Sequence, residues 1–126
     1  MRARKKKWTD EELSTNERVV KNPEGLKGKW SGCFNNSNTI HLEIGCGKGK
    51  FVTTLAKENA DINFVALERQ KHVLSMASRL AEKESLVERE LEESGKEPRK
   101  QEKDSGKLEN LRLFLVMLWI WINILM

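Results

Sequence analysis

Five residues in the run His41–Phe51, His-Leu-Glu-Ile-Gly-Cys-Gly-Lys-Gly-Lys-Phe, combine type and spacing in a way that can do chemistry: Glu43, Gly45, Cys46, Gly47 and Gly49. A glycine loop between a strand and a helix bares backbone that side chains would shield, and it aims the first amides of the helix at a ligand. Spacing narrows the ligand. Dinucleotide sites place their third glycine after two intervening residues, a position held here by Lys50. A P-loop closes on Gly-Lys-Ser/Thr, whereas Phe51 follows Lys50. What remains is an acid two positions ahead of three alternating glycines. A second carboxylate, Glu68, follows Gly49 by nineteen residues. That is where doubly wound adenosine-binding folds carry the acid that accepts hydrogen bonds from ribose hydroxyls. The competing reading of Glu68 is an exposed glutamate favoured by a helix dipole. Gln70 lies either near an adenine or simply at the surface.

The elements that must position these groups follow from periodicity. In Thr39–Ile44, Ile40, Leu42 and Ile44 alternate with polar residues, which is a strand pattern. Phe51–Glu58 places Phe51, Val52, Leu55 and Ala56 on one helical face, and Asn59-Ala60-Asp61 supplies a stop. Ile62–Leu67 is apolar enough for a parallel strand covered on both faces. Val73, Leu74, Met76, Ala77, Leu80 and Ala81 then form the stripe of a helix that continues to about Glu93. Strand, glycine loop, helix, strand, helix predicts an α/β fold: the N-terminal part of a doubly wound, Rossmann-like sheet, incomplete and parallel.

Around that core, 39–93, the chain divides into a basic arm and docking segment over 1–38, a charged linker over 94–107, and 108–126, with a possible third strand and an anomalous apolar tail. The polar stretch Trp8–Asn38 predicts an extended arm with short helical pieces. Leu111–Leu118 is expected to pair as the third parallel strand. The run Leu113–Met126 is apolar but for Asn123, and it is shorter than the roughly 17 to 25 residues of a membrane-spanning helix.

Bulk composition sets the class. With 126 residues, a single domain or part of one is expected; 33% charged and 38% hydrophobic residues fit a soluble globular chain. The net charge of +4 conceals an opening stretch with Arg2, Arg4, Lys5, Lys6 and Lys7 and no acid. Such an arm attracts phosphate backbones by counterion release, unless it is only a solvated tail. Cys33 and Cys46 are too few for a zinc site, and His41 and His72 have no metal-type spacing to them, so no metal is expected. Scarce cysteines and a polar stretch directly after the basic arm predict a cytoplasmic protein without a secretory signal.

Taken together, the segments Met1–Trp8, Asn22-Pro23, Gly28-Lys29-Trp30, Phe34, Asn35-Asn36, the His41–Phe51 loop and Asp61–Glu68 resemble bacterial tRNA (guanine-N7)-methyltransferase, a class I S-adenosylmethionine-dependent family. The resemblance covers Met1 to about Glu93. It implies S-adenosylmethionine as cofactor and tRNA as partner, with methyl transfer to N7 of a guanine in the variable loop. It also implies a cofactor site of Glu43, Gly45, Cys46, Gly47, Gly49, Glu68 and Gln70. Within it, Gly45 and Gly47 would pass under the methionine moiety while Glu43 holds its ammonium. Arg2, Arg4, Lys5, Lys6 and Lys7 become the RNA-contacting arm.

One departure matters. The family's Asp-Pro-Trp-Pro segment, which carries the residues that handle the target guanine, is absent from these 126 residues, so no catalytic residue is assigned. The tail suggests a frameshift near Leu113–Val116, because a frame shifted by two bases can encode an acidic stretch like the family's continuation. A truncated, impaired enzyme of marginal stability is therefore expected. The alternatives are a non-catalytic module that binds RNA or S-adenosylmethionine, and, from the tail alone, an interfacial anchor, which Leu113–Met126 serves poorly for want of a polar face.

Overall fold

Alternation in Ile40, Leu42 and Ile44, and an unbroken apolar run after Ile62, leave each segment able to bury itself only as a strand beside another. A computed structural model describes residues 7–95 and 108–116. The strands are β1 (Ile40–Ile44), β2 (Asn63–Glu68) and β3 (Leu111–Leu115), ordered β1-β2-β3. Both pairings are parallel, with Ile40 opposite Asn63 and Phe64 opposite Leu111. The helices are α1 (Thr9–Thr15), α2 (Lys50–Glu58) and α3 (Lys71–Glu93). Since parallel neighbours need a crossover, α2 links β1 to β2 and α3 leaves from the end of β2. The predicted βαβα order and third parallel strand are borne out, with boundaries shifted by a residue or two and β3 ending at Leu115.

All three helices bury their apolar faces on one side of the sheet. There Leu13 of α1, Val52 and Ala56 of α2, and Leu74, Ala77 and Ala81 of α3 meet Phe64, Ala66, Leu111 and Leu113. Among the described residues the opposite face is covered by one short segment, with Val20 beside it. A 3₁₀ turn, Trp30–Cys33, and the following Phe34 pack over Val65, Leu67, Phe114 and Val116. Arg112 stacks its guanidinium over the Phe34 ring at 5.0 Å and donates to the Cys33 carbonyl at 3.0 Å.

Exposure departs from the apolar pattern in two places. The alternation in β1 marks the strand, as expected, but it does not mark burial: Leu42 and Ile44 are 43% and 60% exposed. They share a sheet face with Val65 and Leu67, and the Trp30–Phe34 segment does not reach them. Phe51, assigned to the buried stripe of α2, is 65% exposed; it stands at the second residue of the helix, off the line of Val52 and Ala56 that meets the sheet. The docking arm also does more than lie on the core. Val20 donates to the Leu113 carbonyl at 2.7 Å and Leu113 to that of Arg18 at 2.8 Å, so residues 18–20 seal the outer edge of β3 as a short parallel bridge. Predicted features over 1–6, 96–107 and 117–126 lie outside the described residues. Among the described residues no helix is long and apolar enough to cross a membrane.

Candidate functional site

The two acids and the glycine loop meet at the C-terminal ends of β1 and β2, where open parallel sheets receive ligands. Glu43 is the fourth residue of β1, and Glu68 is the last of β2. Between β1 and α2 the chain turns sharply, with Gly45, Gly47 and Gly49 at φ of 74°, 56° and 81°. The loop is tied to its neighbour strand by one acceptor: the Leu67 carbonyl receives the amides of Gly45 at 2.9 Å and Cys46 at 3.0 Å. Gly49 caps α2, and the Thr53 amide donates to its carbonyl at 2.9 Å.

The glycines face different surroundings. A β-carbon on Gly45 or Gly47 would meet nothing within 4 Å, so these positions border open space. One on Gly49 would come within 2.7 Å of the Ala77 β-carbon. Gly49 is thus the point where the loop presses onto α3, and the small side chain of Ala77 makes that approach possible. Ala77 was missed as a site-positioning residue. Its signal in the sequence is a helix stripe that turns small where the loop must dock.

Glu43 is half-buried, and burial raises its carboxyl above the ordinary value. Glu68 accepts the Gln70 amide at 2.8 Å on one carboxylate oxygen, which fixes the side chain at the strand end. The two acids converge electrostatically on Cys46. Burial first, then the charges of Glu68 and Glu43, push its thiol up to about 12. The Cys46 side chain belongs to the core under the helices, so only its backbone is presented toward the loop. Gln70 is exposed and contributes its backbone amide to Glu68. Lys48 on the loop and Lys50 at the first position of α2 are exposed, and so is Lys7 at the start of the described chain. Arg2, Arg4, Lys5 and Lys6 lie outside the described residues. No group of His, Cys, Asp and Glu among the described residues is arranged to hold a metal ion.

This arrangement can take a ligand with a cationic end near Glu43 and paired hydroxyls near Glu68, lying over the bare backbone between. Comparison with known proteins identifies the family. Residues 37–115, which hold all three strands and the loop, match a family model described as "Putative methyltransferase". A tRNA (guanine-N(7)-)-methyltransferase of Clostridium botulinum (strain Hall) is 44% identical over 91 residues, covering 71% of this chain and 42% of that protein. Proteins of the same name from Ruminiclostridium cellulolyticum and Oceanobacillus iheyensis are 46% and 45% identical over 84 and 88 residues, covering 36% and 41% of their lengths. The chain therefore spans about two fifths of the length of the curated relatives it matches. With its strands, loop and second acid all inside the matched region, the chain belongs to this methyltransferase family.

Proposed function

We propose that this chain carries the S-adenosylmethionine-binding half of a tRNA (guanine-N7)-methyltransferase. One observation supports the reading above the others: two carboxylates on adjacent parallel strands flank a glycine turn whose first two glycines open onto free space. The residues suit the cofactor. Glu43 would balance its ammonium, the Gly45–Gly47 backbone would pass beneath the methionine portion, and Glu68, held by the Gln70 amide, would accept the ribose hydroxyls. When bound, S-adenosylmethionine supplies an electrophilic methyl group for an incoming nucleophile. Guanine N7 already carries a lone pair in the base plane. The protein's task is therefore alignment more than proton transfer.

The relatives' printed names supply guanine N7 and tRNA, which are carried to this chain as part of the proposal. The basic arm, Arg2 to Lys7, would hold tRNA phosphates, and a cytoplasmic setting follows from such a substrate. The second reading, a binding module without turnover, is favoured by the bare flank of β1. Leu42 and Ile44 have no cover among the described residues, so no described element stands opposite the loop to clamp a target base.

The test is direct. The purified chain is titrated calorimetrically with S-adenosylmethionine and then incubated with labelled cofactor and an unmodified tRNA transcript. Product is located by cleavage specific for N7-methylguanosine. Cofactor binding that is lost in Glu68→Ala supports the site, and transfer at guanine N7 supports the full activity. Binding without transfer selects the module. No cofactor binding by a folded chain sinks the proposal.

A further inference from the structure

Among the described residues the sheet has one open edge. The outer side of β3 is sealed by residues 18–20, whereas β1 pairs with β2 alone. The register fixes which main-chain groups that edge presents. Asn63 donates to the Thr39 carbonyl and Gly45 to that of Leu67, both at 2.9 Å. In a parallel pair, residues that turn both main-chain groups toward the neighbour alternate with residues that turn them away. Thr39, His41, Glu43 and Gly45 therefore face β2, and Ile40, Leu42 and Ile44 direct their N–H and C=O groups outward.

Such an edge is a template for another strand, and proteins commonly block it with lysine, proline or a bulge. β1, Ile-His-Leu-Glu-Ile, has none of these. Its pattern reads alike in both directions, apolar at 40, 42 and 44 and polar at 41 and 43. His41 and Glu43 stand on the helix-bearing face beside Phe64 and Ala66, and the imidazole meets the Phe64 ring edge-on at 5.7 Å. Leu42 and Ile44 are exposed on the other face. A second β1 turned about Leu42 and running antiparallel sets Leu42 against Leu42 and Ile40 against Ile44, with about six main-chain hydrogen bonds in all. His41 then falls opposite Glu43 as a non-hydrogen-bonded pair, where side chains come closest, with α-carbons about 4.5 Å apart. In-register parallel pairing would set Glu43 beside Glu43, and a twofold at Ile40 or Ile44 would lose the His41–Glu43 pairs.

We propose that β1 is a self-complementary edge through which two copies of this chain join about a twofold axis at Leu42, so that His41 of the second copy stands opposite Glu43 at the candidate site. The pairing is closed, so it doubles the three-stranded sheet and stops there. Ile40, Leu42 and Ile44 of both copies form one apolar row on the face left bare, and its removal from water favours association. The joining requires no cofactor and stands apart from the reading of the site as one for S-adenosylmethionine.

The 126-residue chain is followed by analytical ultracentrifugation over a concentration series and by amide hydrogen exchange. Expected are a reversible monomer–dimer equilibrium and exchange that slows at Ile40, Leu42 and Ile44 as concentration rises, while His41 and Glu43, whose amides β2 already holds, stay unchanged. His41→Glu sets acid against acid and should weaken the dimer about tenfold; adding Glu43→His exchanges the partners and should bring it back to within about threefold of the parent. The exchange measurement needs no variant, so it decides the matter if either variant fails to fold. A chain that stays monomeric at NMR concentrations overturns the proposal. Protection of the three outward amides that ignores concentration also overturns it, because another part of the same chain then occupies the edge. Weakening by His41→Glu without recovery in the exchanged pair overturns the twofold at Leu42.

Discussion

Gly49→Ala separates the two tasks of the glycine loop. The added methyl would stand 2.7 Å from the Ala77 β-carbon and 3.0 Å from its α-carbon, against roughly 3.5–4.0 Å for a comfortable carbon contact. Ala77 is buried in the first half of α3 and has no rotamer to yield. Two costs combine: about 1–2 kcal/mol for a β-carbon in left-handed backbone and about 1–3 kcal/mol for overpacking. A loss of about 2–5 kcal/mol is expected, enough to lower Tm by roughly 8–20 °C in a chain of this size. Gly45→Ala shares only the backbone cost, since nothing lies within 4 Å of its new methyl. Its methyl instead enters the space assigned to the cofactor, so affinity should fall about tenfold or more while stability falls by about 1–2 kcal/mol. Urea unfolding followed by circular dichroism gives the first quantity, and titration with S-adenosylmethionine the second. Ala77→Gly in the Gly49→Ala background completes the cycle. A glycine inside the helix costs about 1 kcal/mol alone, yet it relieves the clash, so the double variant should be less destabilised than the sum by about 1 kcal/mol. A Gly49→Ala chain within about 0.5 kcal/mol of the parent, or a strictly additive cycle, would refute the contact.

Three further outcomes are expected. Burial holds the free Glu43 carboxyl above its ordinary 4.5, and a bound ammonium favours the ionised form. Cofactor binding should therefore release protons and weaken as pH falls through the raised value; calorimetry in buffers of different ionisation enthalpy checks this, and Glu43→Gln should abolish the dependence. The Cys46 thiol, pushed from 9.0 to about 12, should be alkylated at pH 8 far more slowly than an ordinary thiol, a gap that denaturant closes and mass spectrometry follows. The Asn110 side-chain amide donates to the carbonyls of Ala56, Asn59 and Ile62 at 2.9, 3.1 and 3.0 Å; Asn110→Ala leaves these acceptors without it and should cost about 2–3 kcal/mol in chemical unfolding.

The core βαβα order was legible because period-2 and period-3.6 patterns are local, and each is interrupted by a residue that cannot continue it. Gly49 ends the turn at a positive φ, and Asn59 caps α2. The candidate site was legible for a related reason: Glu43, the glycines and Glu68 stand at strand ends, so their sequence spacing is also their spatial order. What was hidden depends on contacts distant in the chain. Nothing near Val19 and Val20 announces pairing to Leu113, more than ninety residues later. Leu42 and Ile44 alternate like core residues, but burial depends on a covering element, and the Trp30–Phe34 segment stops short. Phe51 misled because one apolar residue fits several helical faces equally well. Trp8, read as part of a polar arm, is placed only by α3, through Arg79 seventy-one residues away.

The two halves of the candidate site have unequal support. Glu68 rides on β2, which is bonded along both sides and buried on both faces, and its own carbonyl receives the Val116 amide at 3.1 Å. The end proposed for the ribose is thereby fixed by the centre of the sheet. Glu43 and the glycines ride on β1, which among the described residues pairs on one side only and leaves Leu42 and Ile44 uncovered. Fixing the loop falls to the Leu67 carbonyl, which takes two of its amides, and to the seat of Gly49 on Ala77. The first contact lies in the plane of the sheet, toward β2, and the second lies on the helix-bearing face. With Glu43 on a strand paired along one side among the described residues and Glu68 on a strand paired along both, the proposed ammonium end of the cofactor is expected to order last. Cofactor affinity should then depend more on Ala77, buried and outside the ligand space, than on residues such as Lys48 at the mouth of the loop.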